Sequence, residues 1–245
     1  MKMSKIFFIS DAHLGAESQQ KELDKRNKLY KFFDIVATEG EKLFILGDFF
    51  DFWFDFKKVI FSEYFDILCE LKKLSDNGIE IHFFGGNHDW WMFENGFLAK
   101  FLDAEIHPYP ILIEEKGKKL FLGHGDGIAP SDWGYRNILR PILRNKFSIS
   151  LFRLVPAGCG RLLSKLVSST SKLYTEERDL HFEQEYEDYA REKLADGADF
   201  VIFGHLHLPI IKEFPEGRYV NSGDFYKHFT YLVLDDEKLE MKTIE

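Results

Sequence analysis

Residues 5–15 read KIFFISDAHLG, four apolar residues after Lys5, then a serine, then Asp11 and His13 ahead of a glycine. A short β-branched and aromatic run closed by small polar residues reads as a buried strand. The arrangement recurs four more times. KLFILG at 42–47 leads to Asp48, IEIHFFGG at 79–86 to Asn87, His88 and Asp89, KLFLG at 119–123 to His124, and DFVIFG at 199–204 to His205 and His207. Each strand therefore delivers an oxygen or imidazole ligand at its C-terminal end. Helical patterns lie between several of these runs: Asp24–Thr38 carries Leu29, Phe32, Phe33 and Val36, and Glu63–Leu74 carries Phe65, Leu68 and Leu71, at helix spacing. Strands alternating with helices predict an α/β layered fold with a largely parallel sheet, whose C-terminal strand edge gathers the ligands. RYVNSGD at 218–224 and HFTYLVLDD at 228–236 read as further strands completing a second sheet.

Composition agrees with a globular chain: 45% of residues are hydrophobic and 30% charged. The apolar run at the N-terminus is too short for a signal core and is broken by Asp11, and no stretch approaches the roughly 20 apolar residues of a membrane span. A cytoplasmic location is expected, with any membrane association peripheral. Cys69 and Cys159, the two cysteines, make neither a disulfide framework nor a thiolate metal site. The net charge of -9 argues against a nucleic-acid partner, since that affinity rests on Lys and Arg. The charge is uneven. From Trp133 to Thr175 there is no acid, but there are eight basic residues, Arg136, Arg140, Arg144, Lys146, Arg153, Arg161, Lys165 and Lys172, leaving -17 for the remainder. The same stretch carries Leu139, Leu143, Phe147 and Leu151, then Leu162, Leu163, Leu166 and Val167, spaced to give helices an apolar surface.

The candidate ligands Asp11, His13, Asp48, Asn87, His124, His205 and His207 offer carboxylate, amide and imidazole donors without thiolate, a set suited to Mn, Fe or Zn. Two such cations about 3.5–4 Å apart can orient a phosphate oxygen and neutralise the charge that develops at phosphorus. Asp48 is the expected bridge. One ion is assigned to Asp11, His13, Asp48 and His207, the other to Asp48, Asn87, His124 and His205. His82, His107, His181 and His228 lie outside the pattern and read as structural or surface residues. The aromatic runs at 49–56 and 90–93 read first as packing, with an apolar wall beside the reaction centre as the alternative.

The blocks DAH at 11–13, GDFFD at 47–51, GNHD at 86–89, GHGD at 123–126 and GHLH at 204–207 resemble, in order, those of the calcineurin-like metallophosphoesterase family. The resemblance implies a layered metallophosphoesterase sandwich spanning the chain as one domain, two divalent ions with Mn2+ foremost, and hydrolysis of a phosphoester or phosphoanhydride. It also implies that Asn87 binds metal and phosphate, that His88 stabilises the transition state or donates a proton, and that Asp89 orients His88. GDFFDFWF, GNHDWWMF and GHGDGIAPSDWGYR are similar to the UDP-2,3-diacylglucosamine diphosphatases, which release UMP from a UDP-linked diacylated sugar in lipid A biosynthesis. Well-known members of that group have Arg where this chain has His88. That likeness implies an anionic amphiphilic substrate, a membrane surface as partner, no obligate protein partner, and a helical cap over about 131–180 with Asp132, Tyr135, Ser171 and Arg178 as substrate contacts. A calcineurin-like phosphodiesterase for nucleotides or nucleic-acid ends is the alternative reading, and a non-catalytic scaffold is a third.

Overall fold

The computed structural model describes residues 4–56, 58–160, 175–236 and 238–245, without the side chains of 175–181. Ser171 and the Arg178 side chain fall outside these described residues, as do Arg161, Lys165, Lys172, Leu162, Leu163, Leu166 and Val167.

Strands β1 (Lys5–Ile9), β2 (Gly40–Ile45), β3 (Glu80–Phe84) and β4 (Glu105–His107) run parallel, side by side. Alternation along β1 shows why these strands are apolar throughout. Ile6 and Phe8 face a second sheet, while Phe7 and Ile9 face the helices α1 (Gln19–Glu39), α2 (Phe65–Asp76) and α3 (Phe97–Leu102). A strand buried on both faces has no solvent side on which to place polar residues. The second sheet holds β5 (Ile111–Glu115), β6 (Lys118–Leu122), β7 (Phe200–Phe203), β8 (Pro209–Phe214) and β9 (Gly217–Ser222) in the order β5-β6-β7-β9-β8. Leu120, Leu122, Phe200, Ile202 and Val220 meet the first sheet. Val201, Phe203 and Tyr219 face outward onto Phe182, Tyr186, Ala190 and Leu194 of α6 (Thr175–Ala195). The layers are therefore helix, sheet, sheet, helix.

Two expectations are corrected. The C-terminal strands β10 (Thr230–Asp235) and β11 (Lys238–Thr243) extend the first sheet, not the second: β10 pairs antiparallel with β1 in the register Phe7↔Val233. Only β9, from RYVNSGD, lies in the second. Phe65 does not share the face of Leu68 and Leu71, for it is 63% exposed. At roughly 100° per residue it lies about 120° round from a stripe made by Tyr64, Ile67, Leu68, Leu71 and Leu74.

Between β6 and α6 comes a short helical segment, a π-helical turn at Tyr135–Leu139 running into α4 (Arg140–Arg144) and then α5 (Lys146–Phe152). Asn145, in extended conformation, ends α4 and caps α5, its Oδ1 accepting from Phe147 N at 2.8 Å. Ile149 and Phe152 of α5 pack with Phe52, Phe54, Phe56, Trp90 and Trp91, and Trp91 Nε1 donates to the Leu143 carbonyl at 3.0 Å. The aromatic residues after β2 and β3 thus dock this segment onto the ligand-bearing loops, whereas Phe49, Phe50 and Trp53 join the helix-side core. Its other side remains bare. Ile138, Leu139, Ile142 and Leu151 are exposed, and Phe147 and Leu154 reach 76% and 80%.

Candidate metal centre

The loops beyond the parallel strands do not splay apart. Asp11 N donates to Gly47 O at 3.0 Å, His13 N to Asp48 O at 2.9 Å and Leu14 N to Phe49 O at 3.0 Å, so the Asp11 and Asp48 loops continue the pairing of β1 with β2. Buried Lys25 of α1 donates to the carbonyls of Ala12 and His13 at 2.8 and 2.9 Å and fixes the first loop from beneath. His205 N donates to Asp11 Oδ2 at 3.0 Å, joining the second sheet to the first.

Asp11, His13, Asp48, His205 and His207 all have left-handed backbone, with φ between 43° and 69°. Such conformations are uncommon for non-glycine residues and persist where surrounding contacts enforce them. The neighbouring glycines have a related cause. A Cβ on Gly86 would lie 2.1 Å from Asp48 Oδ1, and one on Gly204 would lie 2.4 Å from Asp11 Oδ2, so each glycine makes room for a carboxylate from another strand.

The structure gathers the seven sequence-predicted ligands into two adjoining groups. In the first, His207 Nε2 lies 3.2 Å from Asp11 Oδ1 and 3.3 Å from His13 Nε2. In the second, His124 Nε2 lies 3.1 Å from both Asn87 Oδ1 and His205 Nδ1. Asp48 Oδ2 stands between them, 3.8 Å from His13 Nε2 and 3.5 Å from His124 Nε2. That is the position expected of a bridge.

The donor set fits cations. Asp11 Oδ1 is buried with no hydrogen-bond donor among the described residues, although it faces two imidazoles. Ring orientation makes the same point. His13 and His207 cross at 82° with centroids 5.2 Å apart, and His124 and His205 cross at 74° with centroids 4.9 Å apart, so their nitrogens converge at an angle. His82 and His107 differ: they are coplanar within 10° and their centroids are 5.4 Å apart although their nitrogens are separated by only 3.1 Å. Those rings meet head-on, the geometry of one N–H···N hydrogen bond, even though Glu105 completes a possible donor group.

The outer ring nitrogens of two of the ligand histidines are engaged away from the donor groups. His124 Nδ1 faces the Leu46 carbonyl at 2.9 Å and His207 Nδ1 faces the Tyr226 hydroxyl at 3.0 Å, leaving Nε2 of each for a metal. The carboxylates make the centre attractive to positive charge. Burial opposes a charge on His124, but the Asp48 carboxylate outweighs it and lifts the pKa to about 10. Burial and then His124 push His205 down to about 4.

His88 borders both groups, its Nε2 4.0 Å from Asp48 Oδ2 and its ring edge-on to His13 at 4.8 Å. Asp89 does not orient it. Asp89 accepts from the backbone N–H of Asp48, Phe49, Phe50 and Gly86, tying two ligand loops together, while His88 Nδ1 faces the Asp51 carbonyl at 3.1 Å. Burial and the nearby Asp48 charge raise Asp89 to about 7. The Tyr135 hydroxyl donates to Asp126 Oδ2 at 2.8 Å, and Asp132 is half-buried, its carbonyl accepting from Arg136 N.

The sequence reading missed Lys25, Tyr226 and Asp126. Asp126 Oδ2 also accepts from Arg140 Nε at 3.0 Å and Arg144 Nη2 at 2.6 Å, which connects the inserted helices to the His124 loop. The signal available was the last residue of GHGD followed by arginines four residues apart.

Comparison with known proteins agrees with this geometry. A UDP-2,3-diacylglucosamine hydrolase from Porphyromonas gingivalis is 30% identical over 259 residues, covering 99% of this chain and 98% of that protein. One from Haemophilus influenzae is 28% identical over 99% of this chain and 100% of its own length, and one from Pseudomonas putida is 26% identical over 98% and 99%. The model of the family described as Calcineurin-like phosphoesterase matches residues 4–209, and with the paired donor groups already found at the strand ends, the chain belongs to that family of metal-dependent phosphohydrolases.

Proposed function

We propose that the chain hydrolyses the phosphoanhydride of UDP-2,3-diacylglucosamine to UMP and 2,3-diacylglucosamine 1-phosphate. The observation that carries this reading is an acid-free helical segment, apolar on its exposed side, docked directly on the metal-bearing loops. A substrate with an anionic head and acyl chains needs those two environments side by side.

In this reading Asp11, His13, Asp48 and His207 hold one divalent ion, and Asp48, Asn87, His124 and His205 hold the other, with Mn2+ preferred. The ions supply charge neutralisation and orientation at phosphorus. His88 gives Nδ1–H to Asp51, so Nε2 is the nitrogen turned to the phosphate to hold or give a proton. Asp89 acts by fixing the loops that carry Asp48 and Asn87. The inserted segment caps the site, with Asp132 and Tyr135 near substrate. No helix among the described residues is long and apolar enough to cross a membrane. We place the working chain peripherally on the inner face of the cytoplasmic membrane, where Phe147, Leu151 and Leu154 meet lipid.

The test is turnover of the UDP-linked lipid with both products identified by mass, beside its deacylated form, a cyclic nucleotide and a small chromogenic phosphodiester. Each buried methylene contributes about 0.8 kcal/mol, so four fewer in contact raise the Michaelis constant on the order of 100-fold. Equal efficiency on acylated and deacylated substrate contradicts the lipid assignment. Preference for the cyclic nucleotide moves the chain to another phosphodiesterase class.

A further inference from the structure

A cleft of about 570 Å³ opens beside His124 and runs outward between the turn after β4 and α6, with the inserted helices as its third side. Its volume suits a ligand of nucleotide size. The inner end is cationic. Arg140 and Arg144 are held by Asp126, whereas Arg136 lines the cleft with no ion pair to any described residue. At the outer lip stands Tyr109, 60% exposed between Pro108 and Pro110. Its turn is rigid: the Pro108 carbonyl accepts from Trp90 Nε1 at 2.9 Å, and Pro110 packs so closely on Gly123 that a Cβ there would lie 3.0 Å away. An exposed ring on a fixed turn is a stacking surface for a planar group. The opposite wall is acidic through Glu185, Asp188 and Glu192, which disfavours a second phosphate in the cleft.

We infer that this cleft is the subsite for the nucleoside monophosphate half of the substrate, its phosphate between His124 and Arg136 and its base on Tyr109. The inference rests on the proposed function, which supplies uridine as the nucleoside. It separates the two halves of the substrate at the metals: the nucleotide lies toward Tyr109, and the acylated sugar toward the bare apolar side of α5. Arg136, Arg140 and Arg144 line the cleft while α5, directly after them, docks on the loop aromatics, so one segment can address both.

The experiment is calorimetry on the metal-loaded chain with UMP and with inorganic phosphate, for the wild type and for Tyr109→Ala, Tyr109→Phe and Arg136→Ala. UMP is expected to bind more tightly than phosphate. Tyr109→Ala weakens UMP about tenfold and leaves phosphate where it was, Tyr109→Phe restores UMP binding because the ring is what matters, and Arg136→Ala weakens both. The Michaelis constant for the UDP-linked lipid rises in step in Tyr109→Ala. UMP binding no tighter than phosphate, or unaltered by Tyr109→Ala, overturns the assignment. If the UDP-linked lipid is cleaved with an unchanged Michaelis constant by Tyr109→Ala, the cleft fails and the proposed function stands. If UMP binds as expected but the UDP-linked lipid is not cleaved, the proposed function fails and the nucleotide site stands.

Discussion

Replacing Asp126 by Asn should loosen the inserted helices while leaving the sandwich folded. A single oxygen, Oδ2, receives the Tyr135 hydroxyl, Arg140 Nε and Arg144 Nη2. Burial works against the charge on Asp126, but Arg144, His124 and Arg140 more than offset it and hold its pKa at about 2, below the ordinary 3.8. At about 1.4 kcal/mol per pH unit, that difference amounts to roughly 2 kcal/mol. Because the folded-state pKa is depressed, the contribution is present above about pH 4 and is lost as pH falls through about 2. Asparagine keeps an acceptor but leaves two guanidinium groups facing a neutral amide. Amide hydrogen exchange of residues 135–152, measured against the peptides of β1 and β2, reads the effect. Exchange in the variant should be roughly 30-fold faster at neutral pH, and the acid-induced loosening of the wild type between pH 4 and 2 should be missing. Unchanged exchange at pH 7, or an acid step that survives in Asp126→Asn, would refute the argument.

Asp48→Asn should lose both ions and turnover together because Asp48 Oδ2 lies between the donor groups, whereas His82→Ala should keep both, its ring being engaged head-on with His107. Elemental analysis decides, and loss of metal from a folded His82→Ala chain would mean that the wrong histidines were grouped. Gly86→Ala should reduce turnover on the order of 100-fold, since its Cβ would fall 2.1 Å from Asp48 Oδ1 and must displace that carboxylate; a wild-type rate contradicts this. His88→Ala should lose about 10²- to 10⁴-fold in turnover with both ions retained, and departure of the metals would show that His88 holds them instead of facing the phosphate.

What could be read from the sequence depended on how near in the chain the informative residues lie. Asp11 comes two residues after the end of β1, and Asp48 three after β2, so strand pattern and ligand appear in one short window. The two buried faces of β1 were likewise visible as an unbroken apolar run. The sheet joined by β10 was not, because the pairing Phe7↔Val233 is a long-range choice that local alternation cannot express. Tyr226 is separated from His207 by two strands' worth of chain, and only the turn built on Asp224 Oδ1, which accepts from Tyr226 N at 3.0 Å, brings its hydroxyl to the ring. Asp89 misled for a different reason. The family resemblance implied that it orients His88, but its carboxylate lies among backbone amides.

Metal titration of the stripped chain tests the two-ion account most directly. Mn2+ is added in known equivalents while bound metal and turnover of the UDP-linked lipid are followed in the same samples. With Asp48 shared between the groups, two ions bind per chain and turnover rises mainly with the second equivalent, returning to nothing on chelation. Full turnover with one ion bound, or with metal shown to be absent, would contradict it.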